Sequence, residues 1–92
     1  MLKKATNSSE YILTFSSFYK AMYAKEKLQG SGIDVTLRKT PPELIRSCGQ
    51  GLYIDGTDLQ KAIAILSDHY ADAKSVFQII FVKGRKEYRR IN

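Results

Sequence analysis

The chain is poor in the residues that most often mark chemistry: its 92 residues contain one cysteine, one histidine, two prolines and no tryptophan. One cysteine cannot build a disulfide framework, which excludes a disulfide-stabilised secreted scaffold. Cys48 and His69 lie far apart in sequence and no Cys-x-x-Cys pair occurs, so we expect neither a metal site nor another cofactor. No apolar run approaches the roughly 18 residues of a membrane span, so we expect no membrane partner.

The length and the N-terminus indicate a small domain in the cytoplasm. A chain of 92 residues corresponds to one domain with one modest core. The segment 1–9 is basic and has no apolar stretch behind it, so it lacks the form of a secretory signal. We therefore expect a single cytoplasmic domain over 1–92, with a flexible N-terminus at 1–9, a folded core at 10–82 and a basic tail at 83–92.

The positive charge is concentrated at the C-terminus. The formal net charge is +6, of which residues 83–92 carry +4. Such a segment is either a solvated tail that keeps the protein soluble or a patch that attracts nucleic acid or an acidic protein surface. The sequence leaves both interpretations open.

Hydrophobic periodicity predicts an α+β fold. Apolar residues alternate or cluster as in strands, and two segments repeat at helical spacing, the first after Ser16 and Ser17 and the second after Thr57. The predicted strands cover residues 11–15, 33–38, 52–54 and 76–82. The order βαββαβ predicts a ferredoxin-like sandwich: a four-stranded antiparallel sheet with both helices on one face. Because residues 76–82 are apolar on both sides, we also expect a homodimer through the free sheet face or the fourth strand.

The connection between the second and third predicted strands is the most informative segment. It takes about a dozen residues where a hairpin turn needs two to five, and long loops in compact domains are often functional. Cys48 lies in it between Ser47 and Gly49, and Arg46 is close enough in sequence to stabilise a thiolate. A free cysteine is also commonly a small buried apolar residue, so the pattern alone leaves two readings open.

The expected topology adds a second argument for a reactive Cys48. The first two strands run parallel, so the Cys48 loop and the start of the first helix at Ser16 and Ser17 meet at one edge of the sheet. The N–H groups and partial positive charge at a helix N-terminus favour a sulfur anion. The second helix ends at this edge and brings His69 near, although a histidine there is more often only exposed to solvent.

Several segments resemble one protein family. These segments are Tyr11–Ser17, Glu26–Leu28, Gly32-Ile33, Thr40-Pro41, Glu43-Leu44 and Ser47-Cys48-Gly49. Together they resemble the selenium/sulfur carrier protein-like family, and the similarity runs through roughly residues 10–82. The resemblance implies that Cys48 is a carrier thiol loaded as a persulfide or selenide, and that the partners are sulfur or selenium donor and acceptor proteins. Pro42 and Arg46 depart from the family pattern. Arg46, Ser47 and Gly49 are expected to support Cys48 because of their positions beside it. The resemblance favours a carrier protein over an enzyme.

A binding module for RNA or a protein partner, acting through the sheet face and the basic tail, is the alternative. Five aromatic residues could occupy a sheet that binds RNA: Tyr11, Phe15, Tyr53, Phe77 and Phe81. The chain lacks the basic-Gly-aromatic run typical of RNA-binding sheets of this kind. It also lacks a phosphate-binding glycine motif and a visible pair of catalytic carboxylates, which argues against a conventional enzyme.

Overall fold

The computed structural model describes residues 9–44 and 49–92. Within these residues the protein has two α-helices, five β-strands and two short 3-10 turns. In chain order the elements are β1 (Glu10–Thr14), α1 (Phe18–Gly30), β2 (Val35–Lys39), a 3-10 turn (Pro42–Leu44), β3 (Gln50–Asp55), a 3-10 turn (Gly56–Asp58), α2 (Leu59–Asp68), β4 (Ser75–Val82) and β5 (Arg85–Arg90). The predicted α+β class and the two helices are confirmed.

The strands form one sheet in the order β2-β3-β1-β4-β5, and each neighbouring pair is antiparallel. Strand β1 pairs with β3 on one side and β4 on the other, so β1 and β2 run parallel with β3 between them. The antiparallel sheet was predicted correctly. The prediction of four strands was wrong, because β5 adds a fifth strand beside β4.

Strand β5 is formed by the segment that the sequence indicated as a basic tail. Val82 and Arg85 are joined by the two-residue turn Lys83-Gly84, in which both residues have positive φ, 52° and 78°. Positive φ at both central positions defines the tight hairpin turn whose twist matches that of paired strands. Four of the six residues of β5 are basic, which is common at a sheet edge because charge discourages pairing with other chains.

One face of the sheet, here called the helix face, packs against both helices. Across the sheet, Leu13 lies opposite Leu52 on one side and Val76 on the other. These side chains are buried in one cluster with α1 and α2, whose contributions are Ala21, Ala24, Leu28, Leu59, Ala62 and Leu66. Because both helices contribute to the same cluster, they lie on the same side of the sheet.

Local signals explain where the helices begin and end. The Ser17 hydroxyl accepts a hydrogen bond from the Lys20 amide at 3.1 Å and caps α1. Gly32 follows α1 with φ of 84°, and Tyr70 follows α2 with φ of 55°, so both helices end in a left-handed residue. In the described parts of the chain, neither helix combines the length and apolar character needed to cross a bilayer.

The opposite side of the sheet, here called the open face, carries the alternate residues of each strand. No helix of residues 9–44 and 49–92 lies on it. Its centre is Ile12, which is fully buried, with Tyr53 opposite on β3 and Phe77 opposite on β4. The remaining side chains of the open face include Glu10, Arg38, Ile79, Phe81, Lys86, Tyr88 and Arg90.

Candidate functional site at the connection between β2 and β3

Three of the six predicted site residues, Arg46, Ser47 and Cys48, lie outside the described residues. Their roles therefore stay predictions. The structure does describe both ends of the connection that carries them. The Thr40 amide donates a hydrogen bond to the Gly49 carbonyl at 2.9 Å, so the chain leaves and re-enters the sheet at paired positions. Gly49 itself is exposed, and among the described residues no atom outside its immediate chain neighbours lies within 4 Å of where its β-carbon would stand.

The first part of the connection turns immediately after β2. Pro42–Leu44 form a 3-10 turn, in which the Leu44 amide donates to the Pro41 carbonyl at 2.9 Å. Proline restricts φ, so Pro41 and Pro42 reduce the freedom of the unfolded chain at this bend. Tyr53 fixes the end of β2 from the neighbouring strand, since its hydroxyl donates to the Lys39 carbonyl at 2.7 Å.

The edge of the sheet from which this connection leaves is also the edge where α1 begins. Thr14, the last residue of β1, lies opposite Gly51. The two chain segments beyond this pair, towards Ser16 and towards Gly49, therefore leave the sheet together, as the topology predicted. Ser17 acts as the cap of α1, because its hydroxyl binds the Lys20 amide, whereas Ser16 is exposed.

Thr40 places a buried hydroxyl at the foot of the connection. Its side chain is only 3% exposed, and its Oγ1 has no hydrogen-bond partner among the residues that the structure describes. A buried polar group without a partner costs about 1–3 kcal/mol, so this hydroxyl is suited to bind a group supplied by the connection or by a ligand. In the sequence, Thr40 was part of the Thr40-Pro41 segment that resembles the family, and it was not predicted as a site residue.

Gly51 makes room for this hydroxyl. A β-carbon at Gly51 would stand 3.2 Å from the Thr40 Oγ1 and 3.0 Å from the Ile12 Cγ2. These distances are too short for a side chain to fit without displacing its neighbours. The burial of Thr40 therefore depends on glycine in the facing strand, a dependence that no local sequence signal reveals.

His69 lies beside the first turn of α1, at the same edge of the sheet. A surface groove of about 370 Å³ runs there between α1 and the segment that follows α2. The residues that line it are Phe15, Tyr19, Lys20, Tyr23, His69, Tyr70, Ala71 and Asp72. His69 is exposed and follows α2 as its C-terminal cap residue. The sequence thus predicted the correct edge for His69. Its exposed position just after α2 is consistent with the interpretation that it is only exposed to solvent.

On the open face, Arg38 connects three strands close to the connection. Its guanidinium forms an ion pair with Glu10 at 3.1 Å and stacks over the Tyr53 ring at 4.0 Å. Partial burial raises the pKa of Tyr53 above its ordinary value of 10.0, while the Arg38 charge acts in the opposite direction. The Tyr53 phenol is therefore neutral at physiological pH and can donate its hydrogen bond to Lys39.

Residues 9–44 and 49–92 contain no group of three His, Cys, Asp or Glu side chains that could hold a metal ion. Cys48 lies outside these residues. The expectation of no metal and no cofactor remains a prediction.

The comparisons with known proteins identify the class of protein. The family described as "Putative Se/S carrier protein-like" matches residues 10–78, well over half of the chain and including Cys48. No curated protein and no solved structure matches the chain. The chain belongs to this carrier-like family, and the resemblance inferred from its motifs is confirmed.

Proposed function

We propose that this protein is a sulfur or selenium carrier that holds the transferred atom on Cys48. The observation that carries the proposal is membership of the carrier-like family over residues 10–78, a range that contains the only cysteine of the chain. A carrier needs a nucleophile that accepts an atom, holds it and releases it, and it needs no general base of its own. The partners proposed with it are a donor protein and an acceptor protein.

The proposed sulfur-loading step is a thiolate attack on a persulfide. The Cys48 thiolate attacks the outer sulfur of a donor persulfide, forms a new sulfur–sulfur bond and breaks the sulfur–sulfur bond of the donor. The donor leaves as a thiolate, so the step transfers one sulfur atom without an external oxidant or reductant. An acceptor thiolate then removes the sulfur from Cys48 by the same exchange.

The described surroundings of the connection support this chemistry. The hydrogen bonds from Thr40 to Gly49 and from Tyr53 to Lys39 fix both ends of the connection on the sheet. The first turn of α1 leaves the sheet at the same edge, and a helix N-terminus favours an anion nearby. We propose that Arg46 and this helix end lower the pKa of the Cys48 thiol, with Ser47 and Gly49 as small neighbours.

Thr40 would serve this site as a positioning residue. Its buried hydroxyl can accept or donate one hydrogen bond at the foot of the connection, and so can hold part of the connection in place. A Thr40→Val substitution preserves the shape of the side chain and removes only its ability to form a hydrogen bond.

The finer statements about the fold and the cell are also proposals. The order β2-β3-β1-β4 with both helices on one face favours a ferredoxin-like core to which β5 is added. The single cysteine favours the cytoplasm. A homodimer through the open face stays a prediction. Since β4 is paired on both sides, its own edge is not available for a dimer.

The test is transfer from a persulfide donor, followed by mass spectrometry of the intact protein. We expect wild-type protein to gain the mass of one sulfur atom, to lose it on reduction with dithiothreitol, and the Cys48→Ser protein to gain none. We also expect wild-type Cys48 to be alkylated with a midpoint below pH ~8.5, the ordinary thiol value. In Thr40→Val this midpoint should rise while the thermal unfolding temperature changes little. A folded wild-type protein that gains no sulfur would overturn the carrier function.

A further inference from the structure

The open-face side chains of β4 and β5 form a double row that contains three aromatic and two basic residues. We call this row the cation–aromatic strip. It consists of the cross-strand pairs Phe77·Arg90, Ile79·Tyr88 and Phe81·Lys86. Alternate residues of a strand point to the same side, so all three pairs lie on the face opposite the helices. The strip was not visible in the sequence because half of it belongs to the segment that was interpreted as a tail.

The strip is accessible and carries positive charge. Phe81 is 67% exposed, and Phe77 and Tyr88 are half-buried. Lys86 is exposed and makes no ion pair with any residue in the described part of the chain, while Arg90 donates its Nε to the Asn92 carbonyl at 3.2 Å. The strip therefore offers ring surfaces beside two cations, with the Glu10 carboxylate at its border.

We propose that the cation–aromatic strip binds single-stranded RNA, with bases stacked on Phe77, Tyr88 and Phe81 and phosphates bound by Lys86 and Arg90. Aromatic side chains flanked by cations are the usual means of binding single strands without reading their sequence. Successive pairs on one face are about 6.7 Å apart, whereas each nucleotide of a stacked duplex strand advances only about 3.4 Å along the helix axis. This spacing suits a stretched single strand, whose bases are free to stack on protein rings.

Charge and geometry distinguish RNA from the other occupants of such a surface. An acidic peptide would use Lys86 and Arg90 but would leave the aromatic rings without a specific role. A second copy of the chain packed strip against strip would place the Lys86 and Arg90 charges of both copies in one interface, which is unfavourable, so RNA competes with the predicted homodimer for this part of the open face. Glu10 lies opposite Ile79 at the border of the strip; its Oε2 pairs with Arg38, and its Oε1 can accept a hydrogen bond from a ribose 2′-hydroxyl. Deoxyribose lacks this donor.

This inference is independent of the carrier function, because it uses no residue of the connection between β2 and β3. The probe is a fluorescently labelled oligouridylate, and its binding is measured by anisotropy over a range of salt concentrations. We expect Phe81→Ala to weaken binding about tenfold, equivalent to about 1.4 kcal/mol for the loss of one stacking platform. We expect Lys86→Glu to weaken binding and to reduce the slope of log affinity against log salt by at least about 0.7.

Matched variants on the helix side of the molecule provide the controls. Tyr19 is 80% exposed on α1 and Lys61 is exposed on α2, so Tyr19→Ala and Lys61→Glu make the same chemical changes away from the strip. We expect neither control to change the affinity by more than about twofold. The Cys48→Ser protein should bind the oligouridylate as wild type does, so that failure of the carrier function and failure of this proposal remain distinguishable.

Three results would overturn the proposal. The first is an unchanged affinity in Phe81→Ala whose fold is intact by circular dichroism. The second is an equal loss in the Tyr19→Ala control. The third is equal affinity for oligodeoxyuridylate, which would remove the preference for RNA. A Phe81→Ala protein that changes from dimer to monomer in sedimentation, without a loss of RNA affinity, would instead assign the strip to a second copy of the chain.

Discussion

The two faces of the sheet are both partly buried, but they are built from different residues. The helix face is aliphatic: Leu13, Leu52 and Ile54 are all at most 2% exposed and pack against both helices. The open face has a buried centre at Ile12, surrounded by aromatic and charged side chains such as Tyr53 and Phe81. A surface that serves only as core does not require exposed rings and cations, so the difference points to the open face as a surface for interaction.

The chemistry proposed for Cys48 is assigned to a connection whose described ends lie at an edge of the sheet. The connection between β2 and β3 leaves the sheet where β1 ends and α1 begins. At the start of the connection, the Thr40 hydroxyl lies beside the position that a Gly51 β-carbon would take, and the Ile12 side chain borders the same position. The site and the open face therefore share a border, and four substitutions test how far the two faces differ.

The largest effect is expected from truncating the helix face. Leu52 is fully buried between the strands and the helices, so Leu52→Ala leaves a cavity and should lower the free energy of unfolding by about 2–5 kcal/mol. The open-face control Phe81→Ala should change it by less than about 0.5 kcal/mol, because Phe81 is largely exposed. Urea denaturation measures both. Equal losses would show that the open face is a second core.

A smaller effect is expected where the open face meets the connection. Gly51→Ala would place a β-carbon against Ile12 and Thr40 and should destabilise the protein by about 1–3 kcal/mol. Gly49→Ala is the matched control, since no neighbouring atom lies within 4 Å of its β-carbon position. Thermal unfolding distinguishes them. If Gly51→Ala is as stable as Gly49→Ala, then Thr40 is not confined as the structure indicates.

The hairpin that adds β5 to the open face should depend on its turn. Gly84 has a φ of 78°, and no neighbour would contact a β-carbon there, so Gly84→Ala should cost about 1 kcal/mol through backbone strain alone. Gly30→Ala at the end of α1 is the control, and we expect it to be neutral or to stabilise by up to about 1 kcal/mol. Hydrogen exchange of the β5 amides should increase in Gly84→Ala. Unchanged exchange would argue against the tight turn.

The smallest effect concerns pH and the open face. Burial raises the pKa of Tyr53 above 10.0, so its neutral form is favoured by folding. This contribution is fully present below pH 10.0 and is lost as the pH rises through the pKa of the folded protein. We therefore expect the stability of wild type to decrease above pH 10.0 more steeply than that of Tyr53→Phe. The free energy of unfolding is measured by urea denaturation at each pH, and Tyr19→Phe should follow wild type. An equal decrease with pH in all three proteins would contradict the assignment of this effect to Tyr53.

The sequence predicted the elements whose signals are local. A β-branched and aromatic run with apolar residues on both faces indicated β1, and Ser17 indicated the start of α1. The connection with Cys48 was located between β2 and β3. The motif Ser47-Cys48-Gly49 pointed to the family that the comparison then confirmed. These features depend on residue type and spacing along the chain, which periodicity and motif reasoning can use directly.

The tertiary structure decided what depends on partners distant in sequence. Strand β5 is a strand because β4 offers it an edge, although its own composition of basic residues resembles a solvated tail. Thr40 is buried because Gly51, eleven positions away, leaves room for its hydroxyl. The cation–aromatic strip exists because the register of β4 with β5 places Phe81 beside Lys86. Burial and cross-strand pairing are properties of two segments together, and neither segment carries that information alone.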